Sequence, residues 1–272
     1  MRDTREDTGT MNLDLDAIAA TLEGLEETII TRLIDRAQFL HNPLVYQAGH
    51  SGFDGEVAAS LLDLRLLYQE RMDAEFGRFC VPEERAFSRS LPSPRRAVKL
   101  QVTGLALEDP TIINLTMEIL HSYKDLVSRI CREGDDGHYG SSVEHDVYAL
   151  QAISRRVHYG ALYVAECKFQ QMPEEYRPVI RRADTSATME LLTRTDVEER
   201  IVRRVGEKVE SLQSTANTRV RHLVDPAVVV QFYRDHVIPL TKKGEILYLL
   251  QRPEQAPVVQ TKSVYQRLVK TG

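Results

Sequence analysis

An all-α fold, built as a single-domain multi-helix bundle, is what this sequence predicts, and three observations carry it. Apolar residues recur at helical spacing through most of the chain, no run alternates with period two, and the breaks between periodic stretches fall at proline- or glycine-containing segments. With 272 residues and 42% hydrophobic content, the chain can bury one large core or two small ones. One helical domain over residues 13–256 is the default, with a polar extension at 1–12 and an appended tail at 257–272.

The elements follow in order. Leu15, Ile18, Leu22, Leu25, Ile29 and Leu33 predict a long amphipathic helix from Leu13 toward Phe39, stopped by Asn42-Pro43. Val57, Leu61, Leu62, Leu64, Leu66 and Leu67 predict a second, running toward Phe79 and broken at Cys80-Val81-Pro82, and Pro92-Ser93-Pro94 reads as a loop. Asp109 as N-cap and Pro110 in the first turn open a helix through Leu115, Ile119 and Leu126 to Cys131, which the turn Gly134-Asp135-Asp136-Gly137 ends. Val143, Val147, Leu150, Ile153 and Val157 mark a further long helix from Ser141 to about Phe169, interrupted only by Gly160. Beyond a polar stretch to Thr188, one helix carries Met189, Leu192, Val197, Ile201 and Val205. Pro226 opens the last helical region, Val229 to Leu250, with Pro239 as a kink or a break, and the tail reads as helical from Ser263.

Composition narrows the function. A net charge of −5 is spread along the chain with no basic tract to follow phosphates, which argues against nucleic acid as a partner. The first ten residues lack the apolar run of a signal peptide and no stretch reaches the roughly 20 apolar residues of a membrane span, so the expectation is a cytoplasmic protein with no membrane partner. Cys80, Cys131 and Cys167 are an odd, widely spaced set that fits reduced thiols. No phosphate loop, HExxH or Gly-x-Ser-x-Gly occurs, and the lone Glu118-x-x-His121 lacks the second motif of a di-iron bundle, so neither a metal nor a cofactor is expected.

Charged residues within otherwise amphipathic helices remain: Arg155, Arg156, Lys168, Glu198, and Glu245 one turn after Thr241. From spacing alone, solvated faces and ion pairs are the ordinary reading. Thr241 and Glu245 share a face, as do Arg194 and Glu198, and facing helices that bring such groups together would form a polar pocket suited to a small dianion.

Six segments add to this: Glu27 to Phe39 (ETIITRLIDRAQF), Gly134 to Gly137 with Gly140-Ser141, Leu150 to Gly160 (LQAISRRVHYG), Val164 to Gln170 (VAECKFQ), Val197 to Ile201 (VEERI) and Ile238 to Glu245 (IPLTKKGE). In content and order they resemble the fungal and plant chorismate mutases, from about Leu13 to Gln251. The resemblance implies an all-helical homodimer that rearranges chorismate to prephenate, without cofactor or covalent intermediate, in aromatic amino-acid (Phe/Tyr) biosynthesis. It implies that Arg156 binds a substrate carboxylate, that Lys168 bridges a carboxylate and the ether oxygen, and that Glu198 accepts from the ring hydroxyl. Thr241 would help orient the substrate, Arg155 would lie at the substrate-binding site, and Glu245 would donate to the ether oxygen as a protonated acid, so activity should favour mildly acidic pH.

The sequence departs from that pattern in three places. Ala19 stands where the family has a carboxylate-gripping arginine, and Arg194 stands where it has an asparagine. Arg194 either supplies the lost cation to the substrate from another helix or pairs with Glu198 at the surface. Arg156 and Lys168 are 12 apart, about 120° out of phase on an ideal helix, whereas the family's spacing is one shorter; a π-bulge near Gly160 to Tyr163 would absorb the extra residue. Arg78, Gly140 and Ser141 match part of the site where relatives bind tyrosine or tryptophan as effectors, with Gly77 and Glu144 in place of an arginine and a threonine; turn and helix-cap roles compete with that reading. The competing function is a catalytically inactive relative that binds a ligand or a partner.

Overall fold

The computed structural model describes residues 13–253, so the 1–12 extension and the tail from 257, with its helix from Ser263, lie outside the described residues. The described residues form helices joined by turns and loops, with no strand among them. None of these helices is long and apolar enough to cross a membrane.

Helix α1, Leu15–Arg36, opens on Asp14, whose side chain accepts from the Asp16 amide, and buries Ile18, Ile29, Ile30 and Leu33. Helix α2, Leu61–Glu75, starts on a reciprocal capping box between Ser60 and Asp63. It is shorter than its apolar pattern at both ends: Val57 lies outside it, 80% exposed, and Gly77 at φ +83° ends it before a 3₁₀ turn at Arg78–Cys80. Asp109 and Pro110 start only a 3₁₀ turn, Pro110–Ile112, and helix α3, Thr116–Ile130, begins afresh where the Asn114 side chain accepts from the Thr116 amide.

Helix α4, Tyr139–Tyr159, runs through a π turn at Gly160–Val164 into α5, Ala165–Gln171, as one continuous rod. The stretch to Thr188 read as merely polar contains helix α6, Pro173–Arg181, and the helix expected from Met189 to Val205 is two: α7, Thr185–Leu192, and α8, Thr195–Gln213. The break falls at Thr193, whose backbone turns extended at φ −77° and ψ 124°, and Arg194 follows with φ −128° and ψ 84°. The final region is α9, Pro226–Phe232, a second π turn at Tyr233–Val237, and α10, Ile238–Gln251, with Pro239 in the first turn of α10. The π turn frees the proline of a helical hydrogen bond it has no N–H to make.

Helix α1 packs along α4, and α10 packs across the π turn that follows α4. The second contact leaves no room for side chains: a Cβ on Gly160 would stand 2.7 Å from the Thr241 methyl, and one on Gly244 would stand 2.5 Å from the Ala161 Cβ. The first contact is fastened by a buried ion pair. Arg36 Nε lies 2.6 Å from Asp146, both side chains fully buried, and Tyr123 and Tyr46 donate to the same carboxylate at 2.7 and 2.8 Å. The rest of the guanidinium donates to the carbonyls of Leu40 and His41, to Tyr46 and to the Cys131 sulfur, which ties the chain leaving α1 to α3 and α4.

Asp146→Ala strands a buried guanidinium and two tyrosine hydroxyls, and should lower unfolding free energy by about 3–5 kcal/mol. Urea titration checks this; Arg36→Met combined with Asp146→Leu, which removes both charges, should lose clearly less.

Candidate active site

The second π turn sets the position of Thr241. Its hydroxyl donates to the carbonyl of Val237, in that turn, at 2.7 Å, which leaves its oxygen free to accept from Arg156 Nη1 at 3.1 Å. The first π turn sets Lys168. Absorbing one residue between Arg156 and Lys168 reduces their phase difference to about 20°, and both side chains line one cavity of about 490 Å³. The cavity is walled by α1, by α4 and α5, by the α7–α8 junction with α8, and by α10.

Arg156 is 2% exposed, and its Nε has no partner among the described residues. Lys168 donates to Glu245 at 3.1 Å and to the Leu192 carbonyl at 2.9 Å. Burial pushes the Glu245 carboxyl above the ordinary range, and the opposing pull of Lys168, Arg156 and Lys242 does not reverse it. Glu198 reaches the cavity from the first turn of α8 and is held by Lys242 at 3.0 Å. Arg156, Lys168, Glu198, Thr241 and Glu245 are thus gathered from four helices onto one cavity.

Other expected residues are placed differently. Arg155 does not reach the cavity: one position along α4 turns it to the outer face, 45% exposed, beside Glu83 at 3.6 Å and Glu84 at 3.5 Å. Arg194 stands at the cavity mouth, 65% exposed, and pairs with Asp196 at 3.6 Å rather than with Glu198. Ala19 lines the α1 wall. Arg78 is engaged with Asp73, Glu84 and Gln151, whereas Gly140 and Ser141 lie in the first turn of α4. Ser141 and Gln151 are about 15 Å apart along that helix, so Arg78 and Ser141 do not meet within one chain.

Lys242 and Arg204 also line the cavity, and the sequence reading passed over both. Lys242 is three residues before Glu245 and so shares its face, a signal that could have found it; Lys243 instead turns out to Glu118 at 2.8 Å. Arg204 grips the fully buried Glu26 with two bonds of 2.9 and 2.8 Å and reaches Glu23 at 2.7 Å. That link joins α8 to α1 across the cavity wall, and no local pattern marks it.

Fold and cavity define a helical-bundle protein with a polar cavity between its helices, in which a buried cation and an acid share one wall. No family model matches the chain. It is 36% identical over 249 residues to chorismate mutase 1, chloroplastic, of Zea mays, which covers 88% of this chain and 79% of that protein. It is 35% identical over 250 residues to the chorismate mutase of Schizosaccharomyces pombe, covering 88% of this chain and 96% of the relative. The structure of the Aro7p chorismate mutase from Candida albicans, in complex with L-Trp, superposes with a TM-score of 0.83 at 33% identity, covering 91% of this chain and 95% of that one. The chain belongs to the eukaryotic chorismate mutases.

Glu245 makes stability depend on pH in a defined direction. A carboxyl whose folded pKa is raised holds its proton more tightly folded than unfolded, so its contribution is complete below the ordinary carboxylate range and is lost as pH rises through the raised value. As pH rises above the ordinary carboxylate range the wild type should therefore lose stability relative to Glu245→Gln, and denaturation curves of the two measured in parallel would show no such divergence if the carboxyl were ordinary.

Proposed function

We propose that this protein is a chorismate mutase, converting chorismate to prephenate by a pericyclic rearrangement in aromatic amino-acid (Phe/Tyr) biosynthesis. The observation that carries this is the convergence of Arg156, Lys168 and the raised-pKa Glu245 on one cavity, which only the π turn at Gly160–Val164 allows. The reaction breaks an ether bond as a carbon–carbon bond forms, so negative charge grows on the ether oxygen and the substrate must be held compact. Lys168 donates to that oxygen and a carboxylate, and protonated Glu245, 3.1 Å from Lys168, donates to the same oxygen. Arg156, held by Thr241, receives a carboxylate on its guanidinium. Glu198, steadied by Lys242, accepts from the ring hydroxyl. Because protonated Glu245 no longer neutralises Lys168, two cations then face the two carboxylates of chorismate.

With Ala19 supplying no cation from α1, Arg194 at the mouth joins Lys168 on the second carboxylate, and its loose pairing with the exposed Asp196, shared with Arg200, leaves it free to do so. The effector reading rests on the L-Trp complex of the Candida albicans relative. The separation of Arg78 from Gly140 and Ser141 fits a tryptophan or tyrosine site formed between two copies. The homodimer it requires is supported by α2, which exposes Tyr68, Met72 and Phe76 four residues apart along one stripe. Residence in the cytoplasm belongs to the same proposal.

Lys168→Ala should lower chorismate turnover by about 100- to 1000-fold with helical content retained. Arg194→Ala should raise KM more than it lowers kcat, whereas unchanged chorismate affinity would leave Arg194 a surface residue. Sedimentation equilibrium should give twice the 31.0 kDa chain mass; a monomer would remove both the dimer and the shared effector site.

A further inference from the structure

Most cations around the cavity are met by carboxylates. Lys168 faces Glu245, Lys242 faces Glu198, Arg204 is held by Glu26 and Glu23, and at the mouth Arg194 and Arg200 share Asp196. Among the described cavity cations, Arg156 alone has no carboxylate within ion-pair distance: Nη1 donates to a neutral hydroxyl and Nε has no partner. In this state Arg156 is the cavity cation left to meet a ligand's carboxylate. Protonating Glu245 frees Lys168 and makes the same cavity fit a dianion.

The α1 wall beside Arg156 carries an apolar stripe, with Asp16, Glu23 and Glu26 of the same helix also lining the cavity. Leu22 Cδ2 and Arg156 Nη1 lie 3.7 and 3.3 Å from the point where a Cβ on Gly160 would stand, which makes the two side chains neighbours. From Leu22 the α1 face continues through Ala19 to Leu15, all lining the cavity, with Val197 and Ile201 facing it from α8. Seven residues of helix span about 10 Å, the length of an aromatic ring carrying a three-carbon acid. Ala19 matters here because a methyl group adds no charge to this wall and intrudes least.

Resting on the function proposed above, we infer that this cavity also takes aromatic monocarboxylates of the arylpropanoate type, with the carboxylate on the Arg156 guanidinium and the ring against Leu22, Ala19 and Leu15. Such ligands compete with chorismate. The chemistry of the product gives this a use: aromatising prephenate, by loss of its ring carboxylate as carbon dioxide together with its hydroxyl, leaves a benzene ring on a three-carbon acid. The site is then occupied by what later steps make, with no separate effector site involved.

The test is calorimetric titration of the full-length protein with 3-phenylpropanoate, beside 3-phenylpropan-1-ol, which keeps the ring and lacks the charge. Saturable binding is expected for the acid and none for the alcohol. Binding should weaken at least tenfold in Arg156→Gln and in Ala19→Gln; Ala19 is exposed on α1, so the second variant keeps the fold. In the chorismate assay the acid should raise KM and leave kcat unchanged. Absence of binding to the wild type, equal binding to either variant, or equal binding of the alcohol overturns the inference. The two readings fail separately: Arg156-dependent binding without chorismate turnover keeps this one and ends the catalytic one, and turnover that the acid does not inhibit does the reverse.

Discussion

Helical phase is the constraint on which the site depends. An α-helix carrying Arg156 and Lys168 12 residues apart points them to different faces, and no adjustment of rotamers recovers a separation of about 120°. The π turn at Gly160–Val164 restores the phase, and the opposing chain makes a similar adjustment at Tyr233–Val237. The two irregularities serve each other. Val237, in the second, accepts from Thr241, and Thr241 packs its methyl on Gly160, in the first, while accepting from Arg156. A helix crossing made of Gly160, Ala161, Thr241 and Gly244 is close enough to bring a cation on one rod within reach of an acid on the other.

Electrostatics inside the cavity then follow from burial and count. Among the described cavity cations each except Arg156 has a carboxylate, so proton occupancy of Glu245 decides whether Lys168 is also open to a ligand. Arg204 contributes in another way. By neutralising Glu26, which is fully buried, it keeps α1 against α8 and prevents an unpaired carboxylate from facing the space a substrate carboxylate needs.

Much of this was legible in the sequence because long helices repeat. The stripe from Ile18 to Leu33 gave α1, and the single surplus residue between Arg156 and Lys168 located a π turn at Gly160 to Tyr163, one residue short of its observed end. Short or interrupted elements were not legible. Helix α6 has nine residues and few apolar positions, so no period develops; its signature was Pro173 followed by Glu174 and Glu175, an N-terminal pattern rather than a periodic one. Met189 to Val205 kept its apolar spacing across the break at Thr193, so two helices read as one. Adjacent residues were also hard to separate: Arg155 and Arg156 are identical in type, and only packing of the opposite face against α10 decides which enters the cavity.

The buried pair of Arg36 and Asp146 has a consequence for biosynthesis. Its members are 110 residues apart, so at translation rates of 5–20 residues per second the first helix waits roughly 5 to 20 seconds for its partner to be made. Throughout that interval Ile29, Ile30 and Leu33 have no α4 to cover them, and the nascent chain offers an apolar stripe to the ribosome surface and to chaperones. Thr241 and Glu245 emerge later still, on the last described helix, so the cavity closes only once α10 has been made.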